Sequence, residues 1–458
     1  MDWLPTISEA SGPLYRRISD AIENDIASGC LRRGQQLPTH RALAEALGID
    51  LTTVTRAYSE ARRRGLLDAR VGQGTFVSET TLRAARDIPD NVSIDLSMNV
   101  PPQPVEAGLD ARIMRTLAAI NAQAGLSSFL NYQVPGGSEL DLEVVSAWLR
   151  PRLPGLSAER VVIYPGSQSA IFNILLTLLR HGDVLLTEAL TYPGVKSAAE
   201  RLGVTLAGVA MDSEGVVPDA LAKAIRTHKP KAVYLTPTMH NPTTATMSRT
   251  RRREVADVLR RARVPLIEDD AYGLLDPAQR LLADLIPERT WLSMSLSKAL
   301  APALRVSLLI APDAATALTL RQSLQATSQM APPLMTAIVI EWLRSGEAER
   351  IVSAIRDEAV ARQVLAARML KGVAFAAHPR GHHLWLKLPT PRSHGTFVSE
   401  LARQGLAVVG SETFTVDRDV PPAVRLCLGA ARNRAELATA LHVLIRALGR
   451  DEISRQVV

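Results

Sequence analysis

From Val161 to about Pro312, short continuous apolar runs alternate with amphipathic stretches of helical spacing. The runs include Val161-Val162-Ile163-Tyr164, Val184-Leu185-Leu186-Thr187, Val233-Tyr234-Leu235, Leu266-Ile267 and Val306-Ser307-Leu308-Leu309-Ile310. They are too short for helices and too uniformly apolar for strands with one wet face. Strands of this kind lie in a largely parallel sheet covered by helices on both faces. Ligands of such open α/β sheets bind beyond the carboxyl ends of the strands. Chemistry is therefore to be sought in the residues that follow each run.

One of these segments carries Ser295-Leu296-Ser297-Lys298-Ala299-Leu300-Ala301-Pro302-Ala303-Leu304-Arg305, a lysine between two hydroxyls with an arginine beyond. A phosphorylated aldehyde needs these groups: an amine for a Schiff base, hydroxyls and a guanidinium for the phosphate. Pyridoxal 5'-phosphate is the obvious candidate. A lysine flanked by serines also fits a plain surface loop, so partners elsewhere decide. Glu268-Asp269-Asp270-Ala271-Tyr272 follows the apolar Val264-Pro265-Leu266-Ile267 and sets a carboxylate and a phenol at a strand end. A carboxylate under a pyridine nitrogen keeps it protonated, and a phenol can bond the ring's 3'-oxygen. Tyr234-Leu235-Thr236-Pro237 leads to Asn241, which could donate to the same oxygen. In Pro165-Gly166-Ser167-Gln168-Ser169 the chain passes from strand to helix start, where free backbone amides can bind phosphate.

With these motifs in this order, the region from about Ile94 to Gly449 resembles the fold-type I aminotransferases. The resemblance implies that Lys298 carries the Schiff base, Asp269 pairs with the pyridine nitrogen, and Asn241 and Tyr272 bind the 3'-oxygen. It further implies that Ser295, Arg305, Ser167 and Gln168 bind phosphate and that Tyr192 stacks on the ring. Arg425 matches the arginine that grips a substrate carboxylate, a task suited to a bidentate fork. Tyr132, ahead of Gly136-Gly137, resembles the tyrosine that reaches the partner subunit's phosphate. Three positions depart from the pattern: Thr244, Ala303 and Ser307 stand where the family has glycine. They narrow backbone freedom, which leaves cofactor binding in place and weighs against efficient turnover. His240 has no acid partner at useful spacing and reads as a loop residue, Cys427 as core, and Asp270 as solvated or structural.

The first eighty residues have another character. Leu14, Ile18, Ala21, Ile22 and Ile26 mark an amphipathic helix. Thr39 caps a short helix with Leu43, Ala44 and Leu47 inside; after Gly48-Ile49, Asp50 caps a third, burying Val54, Ala57, Tyr58 and Ala61. Two helices joined by a short glycine-containing turn look like helix-turn-helix. The second would present Thr52, Thr53 and Arg56 near its amino end, where such a helix meets base edges. The cluster Arg62-Arg63-Arg64 at its carboxyl end also has a bland reading, because cations there oppose the helix dipole. Two short strands around Val71-Gly72-Gln73-Gly74 form a hairpin.

Residues 12–78 resemble the winged helix-turn-helix of GntR-type regulators, which implies DNA contacts from Arg41, Thr53, Arg56 and the wing from Arg70 through Gly72, Gln73 and Gly74 to Thr75. The expected organisation is a DNA-binding domain at 12–79, a linker at 80–91 and an aminotransferase-like domain at 92–449. Within the last, the large, mostly parallel α/β/α part takes about 140–325, and the small α+β part about 92–130 and 331–449.

A length of 458 residues suits two or three domains, and a net charge of +7 is too mild to indicate a partner by itself. Cys30 and Cys427 match no metal-ligand spacing, the start lacks a secretory signal, and no apolar run suffices for a membrane helix. A cytoplasmic protein without membrane association is expected. Both resemblances in one chain match the MocR-type subfamily of GntR regulators. They imply a homodimer that binds double-stranded promoter DNA and senses pyridoxal 5'-phosphate, or an amino compound condensing with it. The alternative is a cytosolic aminotransferase with an auxiliary head, and a weaker one is a cofactor-free scaffold.

Overall fold

The computed structural model describes residues 3–5, 13–27, 30–32, 34–63, 66–70, 74–77, 94–389, 393–417 and 419–449. The chain forms two compact units, Met1–Ile88 and Pro89–Val458. The expected linker 80–91, both outer limits of the 12–79 domain, and Gly72 and Gln73 lie outside the described residues.

In the first unit, helices α1 (Leu14–Ala27), α2 (His40–Leu47) and α3 (Leu51–Arg63) precede an antiparallel hairpin of β1 (Leu67–Arg70) and β2 (Gly74–Val77). Local chemistry sets these boundaries. Thr39 Oγ1 accepts from the Ala42 amide at 3.3 Å, which opens α2, and left-handed Gly48 closes it. Asp50 Oδ1 then accepts from the Thr52 amide at 2.7 Å and so starts α3. Ile18, Ile22, Leu43, Val54, Ala57, Tyr58 and Ala61 form one core with Trp3, while Leu47 is half-buried. The Tyr58 hydroxyl donates to Pro38 O at 2.9 Å and ties α3 to the turn before α2.

The second unit contains β3 (Ile94–Asp95), β4 (Val161–Tyr164), β5 (Val184–Glu188), β6 (Thr205–Val209), the hairpin β7 (Met211–Asp212) and β8 (Gly215–Val216), and β9 (Ala232–Leu235). There follow β10 (Leu266–Asp270), β11 (Thr290–Ser295), β12 (Ser307–Ile310), β13 (Phe375–Ala377), β14 (His383–Lys387), β15 (Leu406–Ala407), β16 (Val409–Gly410) and β17 (Ala423–Cys427). A seven-stranded sheet runs β4-β12-β11-β10-β9-β5-β6. Its pairs from β11 to β6 are parallel, and β12 is antiparallel to both neighbours. Both faces are covered: Val161 and Ile163 pack into one apolar cluster, Val162 and Tyr164 into another. That is why the strands read as unbroken apolar runs.

A smaller antiparallel sheet, β13-β14-β17-β16, has its own core around Leu384, Leu386, Phe397, Leu426 and Leu441. β3 pairs in parallel with β15 and buries Leu96 in that core. Packing divides the segments expected in the small part. The helices Leu109–Ala124 and Pro333–Ser345 place Ile120, Ile338 and Trp342 in the large sheet's cluster, and Trp342 Nε1 donates to Thr116 Oγ1 at 2.9 Å. Among buried residues, the small core begins only at Ala366 on that side of the chain.

Buried acids crowd the carboxyl ends of the parallel strands. Glu188 closes β5 without solvent contact; its Oε1 accepts from the Thr236 amide at 2.7 Å, and its Oε2 has no partner. Burial pushes its carboxyl up to about 8. Glu268 is pushed up to about 7 by burial, although the Leu282 and Ala283 amides donate to it. These folded-state values exceed those of the unfolded chain, so the native protein retains protons that the unfolded chain has lost. Stability therefore falls as pH rises through the window between them. Glu188→Gln keeps an acceptor for Thr236 and cannot ionise. Urea unfolding is expected to move in the variant's favour by roughly 1–3 kcal/mol between about pH 6 and about pH 9. An identical pH slope in both proteins would contradict it.

Candidate functional site

A cleft of about 380 Å³ opens beyond the carboxyl ends of β10 and β11. Its lining brings together Lys298, Asp269, Tyr272, Asn241, Ser295, Arg305, Ser167, Gln168, Tyr192 and Arg425, which are spread over 259 sequence positions. Tyr132 is not among them: it lies beyond the 3-10 helix Leu126–Leu130, 81% exposed.

Lys298 follows β11 on a loop anchored by buried Leu296, Ala299 and Leu300. The Ser297 amide donates to Ser295 Oγ at 3.3 Å. The His382 ring stands 2.7 Å from the Lys298 carbonyl oxygen. Burial, with lesser repulsion from Arg425 and Arg305, holds the Lys298 amine below its ordinary value despite the nearby Cys427 and Asp269. A lowered amine pKa favours the nucleophilic form.

Asp269 sits at the buried end of β10. Its Oδ2 accepts from the Tyr234 hydroxyl at 2.6 Å, while Oδ1 is buried without a partner. Burial raises the carboxyl to about 6, against the Tyr234 bond. A bare acceptor in a buried site is costly unless a donor arrives. A protonated ring nitrogen meets that requirement, so this carboxylate fits pyridoxal 5'-phosphate.

The phosphate-type groups cluster at the start of the helix Ser167–Leu178. Arg305 donates from Nη2 to Pro165 O at 3.0 Å. Its guanidinium lies so close to Gly166 that an added Cβ would stand 2.6 Å from Nη2. Gln168 Nε2 donates to Gly194 O at 3.0 Å, and its Oε1 is buried and unpartnered. Tyr192 is half-buried, directly before the helix Pro193–Leu202. Of the three glycine replacements, Thr244 carries the plainest consequence. Its φ of 65° lies in the left-handed region, which glycine occupies more easily.

Arg425, on β17, is buried. Its Nη1 donates to Asn241 Oδ1 at 2.9 Å and its Nη2 to Ser97 O at 2.5 Å, while Nε has no partner. Its guanidinium lies 5.0 Å from the centre of the Phe414 ring, which meets Trp385 edge-on. Asn99 Nδ2 donates to the Tyr272 hydroxyl at 2.6 Å, and Lys298 Nζ donates to Asn99 O. Asn241 and Tyr272 therefore belong to two hydrogen-bond chains, one ending on Ser97 and the other passing through Asn99.

Ser97, Asn99, Tyr234 and Phe414 are cleft or supporting residues to which the sequence reading assigned no role. Ser97-Met98-Asn99-Val100 did carry a signal, two polar side chains just ahead of Pro101-Pro102. Tyr234 was hidden in an apolar strand run. His240 is in a loop but fully buried, and burial pushes its ring down to about 3, so it stays neutral beside Thr243. Asp270 is structural, paired with Arg152 at 2.7 Å, and Cys427 is core.

In the first unit, Arg41, Thr52 and Arg56 are exposed and Thr53 is half-buried. The Thr52 hydroxyl is engaged by Asp50 at 2.5 Å. Arg70 ends β1, and Gly74 begins β2, exposed, with a φ of 118°. Among the described residues, no helix is long and apolar enough to cross a membrane.

Comparison with known proteins agrees with both units. Residues 91–444 match the family described as aminotransferase class I and II. Residues 14–77 match the bacterial regulatory proteins of the gntR family. The uncharacterised HTH-type transcriptional regulator YdeF of Bacillus subtilis is 29% identical over 98% of this chain and 97% of its own. The vitamin B6 salvage pathway transcriptional repressor PtsJ of Salmonella typhimurium is 30% identical over 88% of this chain and 92% of its own. Among solved structures, the α-aminoadipate aminotransferase LysN of Thermus thermophilus, complexed with N-(5'-phosphopyridoxyl)-L-leucine, superposes with a TM-score of 0.72. It is 25% identical and covers 80% of this chain and 94% of its own. A winged head and a fold-type I aminotransferase body in one polypeptide place the chain in the MocR-type branch of the GntR family of DNA-binding transcriptional regulators.

Proposed function

We propose that this regulator binds pyridoxal 5'-phosphate in the cleft, and that it senses the cofactor itself or an amino compound there as a homodimer. The observation that carries the reading is the bare Oδ1 of Asp269, buried in the same cleft as a lysine whose amine is held below its ordinary value. When bound, the cofactor supplies an aldehyde that reacts reversibly with amines. The protein's part is to receive and orient it. Lys298 offers the amine; Asp269 holds negative charge opposite the ring nitrogen; Tyr192 covers a ring face; and Asn241 and Tyr272 face the 3'-oxygen. Ser167, Gln168, Ser295 and Arg305 hold the phosphate, with Tyr132 contributed to the other subunit. Arg425 receives a carboxylate of the sensed compound.

The name of the Salmonella relative ties that protein to vitamin B6 salvage, which favours the phosphorylated vitamin as a sensed species. Turnover as an aminotransferase is the second reading, since the same residues could serve it. The left-handed Thr244 weighs against it. Sustained product formation from amino donors and 2-oxo acids would reverse that preference.

On the head, Arg41, Thr52, Thr53, Arg56 and the wing residues Arg70, Gly72, Gln73 and Gly74 form the DNA-contacting set, with α3 in the major groove. In a dimer, two such helices read paired half-sites.

Two outcomes test the reading. Lys298→Ala should abolish the visible absorbance that pyridoxal 5'-phosphate gains on a lysine amine, and with it any effect of the cofactor on promoter binding. An unchanged band and response would contradict cofactor sensing. Arg56→Ala should weaken operator binding by roughly 10- to 100-fold in a titration at fixed salt, while cofactor uptake stays as in the wild type. Unaltered operator affinity would remove α3 from the DNA interface.

A further inference from the structure

The cleft contains a piece of its own chain where an amino-acid ligand would go. Ser97-Met98-Asn99 crosses from Arg425 to Lys298: the Ser97 carbonyl accepts from Arg425 Nη2 at 2.5 Å, and the Asn99 carbonyl accepts from Lys298 Nζ. A guanidinium grips a carboxylate with two parallel N–H bonds, from Nη1 with Nη2 or from Nε with Nη2. Both arrangements use the nitrogen that Ser97 O now holds. Nη1 is also engaged, by Asn241, and Nε is buried and bare. The two carbonyls thus stand in for the anionic oxygen and the polar contact at the amine that a carboxylate-bearing amine would bring.

The crossing segment is held in place by side chains at its ends. Asp95 Oδ1 accepts from the Ser97 amide at 2.8 Å and from the Ser97 hydroxyl at 2.6 Å. At the far end the Asn99 amide donates to Tyr272. Val100 O lies where a Cβ on Gly429 would come within 2.1 Å, so that backbone is closely seated. Met98, between the anchors, is 52% exposed. The segment is therefore anchored at both ends, with an exposed side chain between them. It begins immediately after β3, the first described strand of the body, which pairs with β15.

We infer that Ser97–Asn99 is an internal strap over the ligand anchors, which a carboxylate-bearing amine displaces from Arg425 and which thereby reports ligand binding to the chain leading back toward the head. This rests on the sensing function proposed above. A ligand that must displace the strap has its apparent affinity reduced by the fraction of molecules in which the strap is docked. Displacement also gives the ligand the differential interaction with two states that any switch needs. An amine without a carboxylate reaches Lys298 and leaves the Ser97 contact on Arg425 intact.

The test uses full-length protein loaded with pyridoxal 5'-phosphate, with methylamine and L-alanine as probes. Amide hydrogen exchange is followed at residues 96–100, and binding is followed by the visible spectrum. L-alanine is expected to speed exchange at Ser97 and Val100 severalfold, and methylamine to leave Ser97 unchanged. Asp95→Ala, outside the cleft lining, should bind L-alanine about fivefold more tightly by loosening the strap. The wild-type exchange experiment decides alone if that variant does not fold. A saturating spectral change with L-alanine and no change in exchange overturns the strap and leaves the sensing function standing. Equal release by methylamine does the same. Protein that takes up no pyridoxal 5'-phosphate overturns both.

Discussion

A carboxylate with one oxygen satisfied and the other bare, at the buried end of a parallel strand, is the constraint on which this site depends. Its charge is costly there, and burial raises the Asp269 carboxyl to about 6 despite the Tyr234 bond. Tyr234 steadies one oxygen, leaving the other as a directed demand for a cationic N–H group. The sheet makes this possible. Four consecutive parallel pairings, covered on both faces, exclude water from the strand ends and aim several strands' terminal residues at one place.

The cleft is closed by the smaller sheet as much as by the large one. Arg425 on β17 reaches Asn241 from the loop after β9, and His382 reaches the Lys298 carbonyl. His383 adds a ring contact to Tyr272. Neutral histidines suit these seams: burial pushes His382 down to about 4 and His240 down to about 3, so neither brings an unpaired charge into the core. A ligand held by both Lys298 and Arg425, as proposed above, would therefore touch elements of both sheets. A regulator can use such a contact with little or no turnover, and the backbone at Thr244 is consistent with that economy.

The winged head is built on different terms. Its core is a compact apolar set, and polar side chains at Thr39 and Asp50 decide where helices start. Side chains that are to meet DNA must stay outside that core, and the proposed contacts Arg41, Thr52 and Arg56 are exposed. Thr53 is half-buried, which leaves Arg56 as the longer reach from α3.

Much of this was legible in the order of residues. Apolar runs ending in Asp269, Ser295 or a glycine-led helix start determined a parallel sheet with its chemistry at the strand ends, because two-sided burial and period-two geometry write themselves into composition. Helix caps and glycine turns did the same for the head. Tertiary structure alone decided that Asn241 would be taken by Arg425, that Tyr234 would support Asp269, and that the helices Leu109–Ala124 and Pro333–Ser345 would pack on the large sheet. It alone decided the strap as well. Those contacts join residues 199 and 328 positions apart through backbone carbonyls, which every residue has, so no side-chain pattern could have announced them.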